Sequence, residues 1–293
     1  MRNISLTEII ARREESPVSR TAFDLAYDEL RRRWPHSTEE RDVVTPYGRT
    51  RVHVYGPADG VPLVLLHGGS ATGLVWFANA PALGRRHRVH AVDLLGDAGR
   101  TDRSGGTPLK TADDLTAWLD SLLDGLGLTR THMCGHSYGA WLAVRYALHA
   151  PQRVIRLALL DPTQVFAGFR PGYLLRALPL LLRPSQARAA AFLAWETAGT
   201  QPDKSWQRLY ALAAAVPGRK LVTGPRPQVA GLRMPVLVVL AEHSRAHHAA
   251  KVADRARRKL PQARVVVLPG DTHHSLPLTA PQQLNEHLSA FLG

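Results

Sequence analysis

A short motif near the middle of the sequence combines a nucleophile with small neighbours. Residues 135–139, GHSYG, place Ser137 between two glycines, after a strand-like run and before a helical pattern over 140–150. A sharp turn from a strand into a helix holds its central residue in a strained conformation and presents that side chain outward. The helix start behind the serine adds partial positive charge where an oxyanion would form. The motif therefore indicates a serine that attacks a carbonyl carbon.

A serine hydroxyl is a weak nucleophile until a base removes its proton, so the chemistry also requires a histidine. The sequence has 14 histidines. Two of them are adjacent, His273 and His274, in the segment LPGDTHHSLP that follows the last strand-like run. Residue type alone does not select the base among the 14 histidines.

The elements that position these residues alternate between strand-like runs and helical patterns, which is typical of a mostly parallel sheet covered by helices on both faces. The first two runs flank the turn signal Pro46-Tyr47-Gly48 and predict an antiparallel hairpin. The sequence predicts eight strands, near residues 41–45, 51–56, 63–67, 88–93, 132–135, 157–161, 236–241 and 264–268.

One interval, between the sixth and seventh strands, contains only helical patterns. We expect an N-terminal helical extension over residues 1–40, an α/β core over 41–161 and 233–293, and a helical lid over 162–232. Long insertions in compact domains tend to be functional. The large apolar residues of this lid are expected to form mainly its own core: Leu174, Leu175, Leu178, Leu181, Phe192 and Trp195.

Three motifs together make residues 41–293 resemble the α/β-hydrolase fold family. They are HGGS at 67–70 after the third strand, DLLGDAGR at 93–100 after the fourth, and the GxSxG turn, or nucleophile elbow, at Ser137. The resemblance implies a serine esterase-like protein. It also implies that the backbone N–H groups of Gly69 and Tyr138 form an oxyanion hole.

The resemblance selects between the two adjacent histidines. The family pattern is similar to Gly-x-Gly-His-x-Leu-Pro, with another proline seven residues after the histidine. Pro277 and Pro281 lie three and seven residues after His274, and His273 then occupies a glycine position. We therefore expect His274 to be the base, with His273 as the alternative.

The acid departs from the common family pattern. Many members carry Gly-Glu-x-Asp after the seventh strand, whereas this sequence has AEHS at 241–244, so that Ser244 stands where the aspartate is expected. A hydroxyl cannot supply the charge that stabilises an imidazolium. Some members place the acid after the sixth strand, and Asp161 lies there. Asp161 is the predicted acid and Glu242 the alternative.

These residues predict a serine hydrolase, carboxylesterase-like, that cleaves a carboxylic ester or related acyl bond through a Ser-His-Asp triad and an acyl-enzyme. No cofactor and no metal are expected, and the apolar lid favours a hydrophobic acyl substrate. Two alternatives stay open: an acyltransferase, thioesterase or cyclase of a biosynthetic pathway, and a hydrolase-fold protein without catalysis.

Composition bears on partners and location. The 293 residues carry 37 Lys plus Arg against 24 Asp plus Glu, a formal charge of +13. Only five of the basic residues are lysine, which leaves 32 arginines. The basic residues are spread along the chain and mixed with acids.

We expect no nucleic-acid partner, because a nucleic-acid-binding surface concentrates its cations, and no membrane insertion, because no apolar run is long enough to span a bilayer. A charged N-terminus suggests no export signal and hence the cytoplasm. An acidic partner or substrate remains open.

Overall fold

The protein is built on one eight-stranded sheet. The computed structural model describes residues 17–216, 221–279 and 281–293. The strands are β1 Glu39–Thr45, β2 Gly48–Tyr55, β3 Val61–Leu66, β4 His87–Val92, β5 Thr131–His136, β6 Val154–Leu160, β7 Val236–Ala241 and β8 Arg264–Leu268, in the spatial order β1-β2-β4-β3-β5-β6-β7-β8. β1 and β2 form the predicted antiparallel hairpin, β2 also runs antiparallel to β4, and β3 to β8 are parallel. All eight predicted strands are confirmed.

The helices cover both faces of this sheet. They are α1 Pro17–Arg31, α2 Ala80–Leu83, α3 Ala112–Gly125, α4 Tyr138–His149, α5 Pro171–Leu182, α6 Gln186–Glu196, α7 Lys204–Ala215, α8 Ala249–Lys259 and α9 Pro281–Leu292. Successive strand residues point to opposite faces, so Leu63 and Leu65 join one apolar layer while Val64 and Leu66 join the other. The first layer contacts α1 and α9, and the second contacts α3, α4 and α8.

Helices α5, α6 and α7 lie between β6 and β7, and we call residues 162–232 the insertion. Helix α1 forms hydrogen bonds both to the insertion and to the loop that follows β4. The Glu29 carboxylate accepts a hydrogen bond from Ser205 Oγ of α7 at 2.7 Å, and the Tyr27 hydroxyl of α1 donates to Asp93 at 2.7 Å. Residues 1–16 of the predicted extension lie outside the described residues.

No helix in the ranges that the structure describes is both long enough and apolar enough to cross a membrane.

Candidate active site

Ser137 lies at the turn from β5 into α4, as its motif predicts. Its backbone has φ 52° and ψ −111°, a conformation that L residues rarely adopt. The flanking glycines make this turn possible. A Cβ on Gly135 would lie 2.3 Å from the carbonyl oxygen of Gly139, and a Cβ on Gly139 would lie 2.3 Å from that of Leu66. Since no other residue fits at either position, the small flanks hold the Ser137 hydroxyl at the carboxyl end of the sheet.

The ring of His273 lies between the hydroxyl of Ser137 and a buried carboxylate. His273 Nε2 is 2.8 Å from Ser137 Oγ, and its Nδ1 is 2.6 Å from Asp161 Oδ2. An ionised carboxylate can only accept a hydrogen bond, so Nδ1 carries the proton and donates it. The Nε2 lone pair therefore faces Ser137 Oγ, which is the arrangement in which a histidine can take a serine proton.

The structure contradicts the prediction that His274 is the histidine that faces Ser137. The Nδ1 of His274 is 3.1 Å from Glu196 Oε2, and its Nε2 is 3.2 Å from the Tyr210 hydroxyl. Both ring nitrogens of His274 are thus engaged away from Ser137. The two rings are 4.9 Å apart and nearly perpendicular, at 82°, so adjacent residues of one turn point to different partners. The proline spacing identified the turn but not the residue of the turn that faces the serine.

Asp161 follows β6, where the sequence placed the acid. Its Oδ2 accepts hydrogen bonds from His273 and from Ser244 Oγ at 2.7 Å, and its Oδ1 accepts them from His247 Nε2 at 2.9 Å and from the Ala241 amide at 3.1 Å. Burial alone would raise its pKa, but the charges and hydrogen bonds of the two histidines outweigh burial and hold the pKa of Asp161 well below its ordinary value. The carboxylate is therefore ionised and fixed in orientation.

The other candidate acid does not reach this cluster. The side chain of Glu242 is half exposed, and its Oε2 accepts a hydrogen bond from the Gly270 amide at 3.2 Å. Ser244, which replaces the usual family aspartate, instead donates its hydroxyl to Asp161. The structure thus brings together Ser137, His273 and Asp161, and leaves Glu242 at the surface.

The predicted oxyanion-hole residues both line the cavity above Ser137. In the part of the chain that the structure describes, the backbone N–H groups of Gly69 and Tyr138 have no hydrogen-bond acceptor. The turn that carries Gly69 is held by His67, which accepts from the Leu94 amide at 3.0 Å and, through its other nitrogen, donates to the Gly68 carbonyl at 2.8 Å. Two unpaired amides beside a serine are the donors that a developing oxyanion requires.

Glu196, at the end of α6, is a residue of the site that sequence reasoning missed. Its carboxylate is fully buried and accepts hydrogen bonds from the backbone amides of His273 and His274, each at 3.0 Å. It also accepts from the Thr272 hydroxyl at 3.2 Å, besides the His274 ring. The insertion therefore holds the turn that carries His273. No motif marks this glutamate, because its partners lie more than 70 residues away along the chain.

We expect Glu196→Gln to destabilise the protein at neutral pH by about 3 kcal/mol. Burial alone would raise the pKa of Glu196, but the hydrogen bonds and charges of His274 and His273 outweigh it and bring the pKa to about 2, against an ordinary value of 4.5. A carboxylate with a lowered pKa stabilises the fold above its unfolded pKa, and this contribution is lost as the pH falls from 4.5 towards 2. Urea unfolding of both proteins at several pH values measures the difference.

Glu242→Gln serves as the matched control, because it removes one glutamate charge from the exposed loop that follows β7. Equal unfolding free energies for Glu196→Gln and Glu242→Gln at neutral pH, or a difference that does not shrink in acid, would contradict this role of Glu196.

We expect the acidic limb of the kcat/KM profile to lie below pH 6.5, the ordinary pKa of histidine. Burial lowers the pKa of His273 more than the hydrogen bond and charge of Asp161 raise it. A base must be unprotonated to accept the serine proton, so activity is lost as the pH falls through this lowered pKa. Ester hydrolysis measured from about pH 4 to 9 locates the limb. A midpoint above pH 6.5 would show that the Asp161 charge dominates instead.

A cavity of about 470 Å³ opens above Ser137 and His273. Its walls are mostly apolar and come largely from the insertion: Phe169, Tyr173, Leu174, Ala177, Leu180, Leu181 and Phe192. The expectation that the large apolar residues of this segment form its own core is wrong for four leucines of α5, which are at least 44% exposed: Leu174, Leu175, Leu178 and Leu181. Leu174 and Leu181 stand at the mouth of the cavity, where an apolar ligand would cover them.

Comparisons with a family model, with curated proteins and with solved structures agree. The model of the alpha/beta hydrolase family matches residues 63–287. Carboxylesterase YbfK of Bacillus subtilis (strain 168) is 30% identical over 285 residues, which cover 92% of this chain and 93% of that protein. The crystal structure of carboxylesterase CesB (YbfK) from Bacillus subtilis has a TM-score of 0.87 at 28% identity, over 94% of this chain and 98% of that one.

The crystal structure of naproxen esterase (carboxylesterase NP) from Bacillus subtilis has a TM-score of 0.83 at 25% identity and covers 96% of this chain and 100% of that one. These similarities cover more than nine-tenths of the chain. They show that the chain belongs to the alpha/beta hydrolase family.

Proposed function

We propose that this protein is a serine hydrolase that cleaves carboxylic esters through an acyl-enzyme. The observation that carries the proposal is the continuous chain of hydrogen bonds from Asp161 through His273 to Ser137 Oγ, beneath an apolar cavity. The names of two similar proteins, a carboxylesterase and a naproxen esterase, support the same reaction class.

The proposed reaction has two halves. Ser137 Oγ attacks the ester carbonyl while His273 Nε2 takes the hydroxyl proton, and the backbone amides of Gly69 and Tyr138 stabilise the oxyanion. His273 then gives this proton to the leaving alcohol, which leaves an acyl group on Ser137. In the second half, His273 takes a proton from water and the resulting hydroxide attacks the acyl carbon. His273 then returns this proton to Ser137 Oγ as the carboxylic acid leaves, which regenerates the serine and the neutral imidazole. Asp161 keeps its negative charge and stabilises the imidazolium throughout.

The apolar walls indicate which part of the substrate the cavity accepts. A volume of about 470 Å³ is within the usual range for small-molecule pockets. Among the described residues, the lining contains hydroxyl, amide and imidazole groups but no Asp, Glu, Lys or Arg, and its large side chains are mainly leucine and aromatic. We therefore propose that the substrate is an ester with a hydrophobic acyl or aromatic group.

Covalent labelling tests the nucleophile. A fluorophosphonate probe is expected to label the wild-type protein at Ser137, and Ser137→Ala is expected to lose both labelling and hydrolysis of p-nitrophenyl esters, because an alanine has no nucleophilic oxygen. Thr163 provides the control, since its hydroxyl is 3.4 Å from Ser137 Oγ, and Thr163→Val should still be labelled. Absence of labelling in the folded wild type, or labelling that persists in Ser137→Ala, would refute the mechanism.

A further inference from the structure

A second pocket, of about 490 Å³, lies beside the proposed triad acid and is lined by cationic side chains. We call it the basic pocket and define it by Arg170, Arg226, His247, His248, Lys251 and Arg255. None of the described residues that line it is an aspartate or a glutamate. Phe169 lines both this pocket and the substrate cavity, so the two spaces share a wall.

The positive charges of the basic pocket are not neutralised by the protein. In residues 17–216, 221–279 and 281–293, no carboxylate forms an ion pair with Arg170, Lys251 or Arg255. The side chain of Arg226 donates one hydrogen bond there, to the amide oxygen of Gln164 at 3.5 Å. By contrast, Arg257 on the same helix as Arg255 pairs with Asp254 at 3.5 Å. Like charges that converge on one concave surface repel each other, and a bound anion removes this repulsion.

The pKa of His248 indicates the sign of the electrostatic potential in the basic pocket. This histidine is exposed, yet its pKa is lowered, first by the charge of Arg170 and further by slight burial, Lys251 and His247. No carboxylate in the described part of the chain raises the pKa of His248. The potential at the pocket surface is therefore positive. The N-terminus of α8, which begins at Ala249 with no acidic residue in its first turn, adds to this potential.

His247 connects the basic pocket to the proposed triad. The residue is only 2% exposed, and its Nε2 donates to Asp161 Oδ1 at 2.9 Å. Its Nδ1 has no hydrogen-bond partner among the described residues. Burial would lower the pKa of His247, but the charge and hydrogen bond of Asp161 outweigh burial and raise it, which favours the imidazolium form. In that form Nδ1 also carries a proton and can donate to an acceptor that enters the pocket.

We propose that the basic pocket binds an anion that carries phosphate groups, in addition to the ester that the substrate cavity binds. Arginine forks match the oxygens of phosphate with paired hydrogen bonds, and lysine adds a point charge. The volume exceeds that of one phosphate, which suits a pyrophosphate or the phosphate end of a larger molecule. Such a ligand would lie one side chain, His247, away from Asp161.

Calorimetric titration with inorganic pyrophosphate tests this site directly. We expect Arg170→Gln/Lys251→Gln to weaken binding at least tenfold, because two of the four cations are removed. The control Arg258→Gln/Lys259→Gln removes the same charge from the exposed far end of α8 and should bind like the wild type. All four side chains are exposed, so both proteins should fold and keep their esterase activity.

Vesicle flotation distinguishes the source of the phosphate. Vesicles of phosphatidylcholine with phosphatidylglycerol present the same chemistry as a lipid headgroup. Vesicle binding that Arg170→Gln/Lys251→Gln loses and the control keeps, without pyrophosphate binding, would assign the pocket to a headgroup. Failure of the wild type to bind either probe, or equal binding by the two double variants, would overturn the proposal. Binding is read without turnover, so this outcome is separate from failure of the proposed hydrolysis.

Discussion

His273→Ala is expected to lower kcat/KM for a p-nitrophenyl ester by at least about three orders of magnitude. Its Nε2 is the nitrogen within 2.8 Å of Ser137 Oγ, and an alanine leaves the serine proton without an acceptor. The loss should fall mainly on kcat, because the base acts in the transition state and the cavity walls remain. Steady-state kinetics with a short-chain and a long-chain ester, together with an unfolding curve, measure the effect.

His274→Ala is the matched control, since it removes the neighbouring imidazole from the same turn. We expect it to cost about tenfold or less in kcat/KM, because the ring contacts Glu196 and Tyr210 and only lines the cavity. A larger loss in His274→Ala than in His273→Ala, with both variants folded, would restore the assignment that the proline spacing favoured.

Asp161→Asn is expected to lower kcat by about four orders of magnitude. An asparagine can turn its NH₂ towards His273 Nδ1, which then accepts a hydrogen bond, and the proton moves to Nε2, the nitrogen that must receive the serine proton. The substitution also removes the negative charge that stabilises the imidazolium of His273. Steady-state kinetics measure the loss, and thermal unfolding checks that the variant folds. His247 keeps its oxygen acceptor, and the Ser244 hydroxyl can accept a hydrogen bond from the new NH₂.

Glu242→Gln, the other carboxylate considered for the triad, should change kcat by less than about twofold, because its side chain is half exposed and contacts the Gly270 amide. If Asp161→Asn kept most of the turnover while Glu242→Gln lost it by orders of magnitude, the proposed triad would be wrong about its acid.

The sequence was sufficient for the fold because the fold depends on periodicity. Eight apolar runs separated by helical patterns leave few arrangements, and each run became a strand. The turn at Ser137 was predictable for a similar local reason, since the two flanking glycines are required by contacts within a few residues and by the neighbouring strand.

The base was harder to predict because two adjacent histidines satisfy the same spacing rule. Glu196 of α6 determines which ring faces Ser137. Its carboxylate accepts hydrogen bonds from the backbone of the turn and contacts the His274 ring, so that the His273 ring is the one that faces the serine. The contact of His247 with Asp161 is also hidden from the sequence, because it joins residues 86 positions apart. Long-range polar contacts of this kind leave no periodic signal in the sequence.

The position of Glu196 limits how the protein can be redesigned. The insertion supplies most of the apolar walls of the substrate cavity, so exchanging it for that of a relative is an obvious route to a new specificity. The same segment also supplies the carboxylate that fixes the turn of His273. The insertion therefore affects both substrate specificity and turnover. We expect a grafted insertion to give an active enzyme only if the end of its second helix carries a carboxylate equivalent to Glu196.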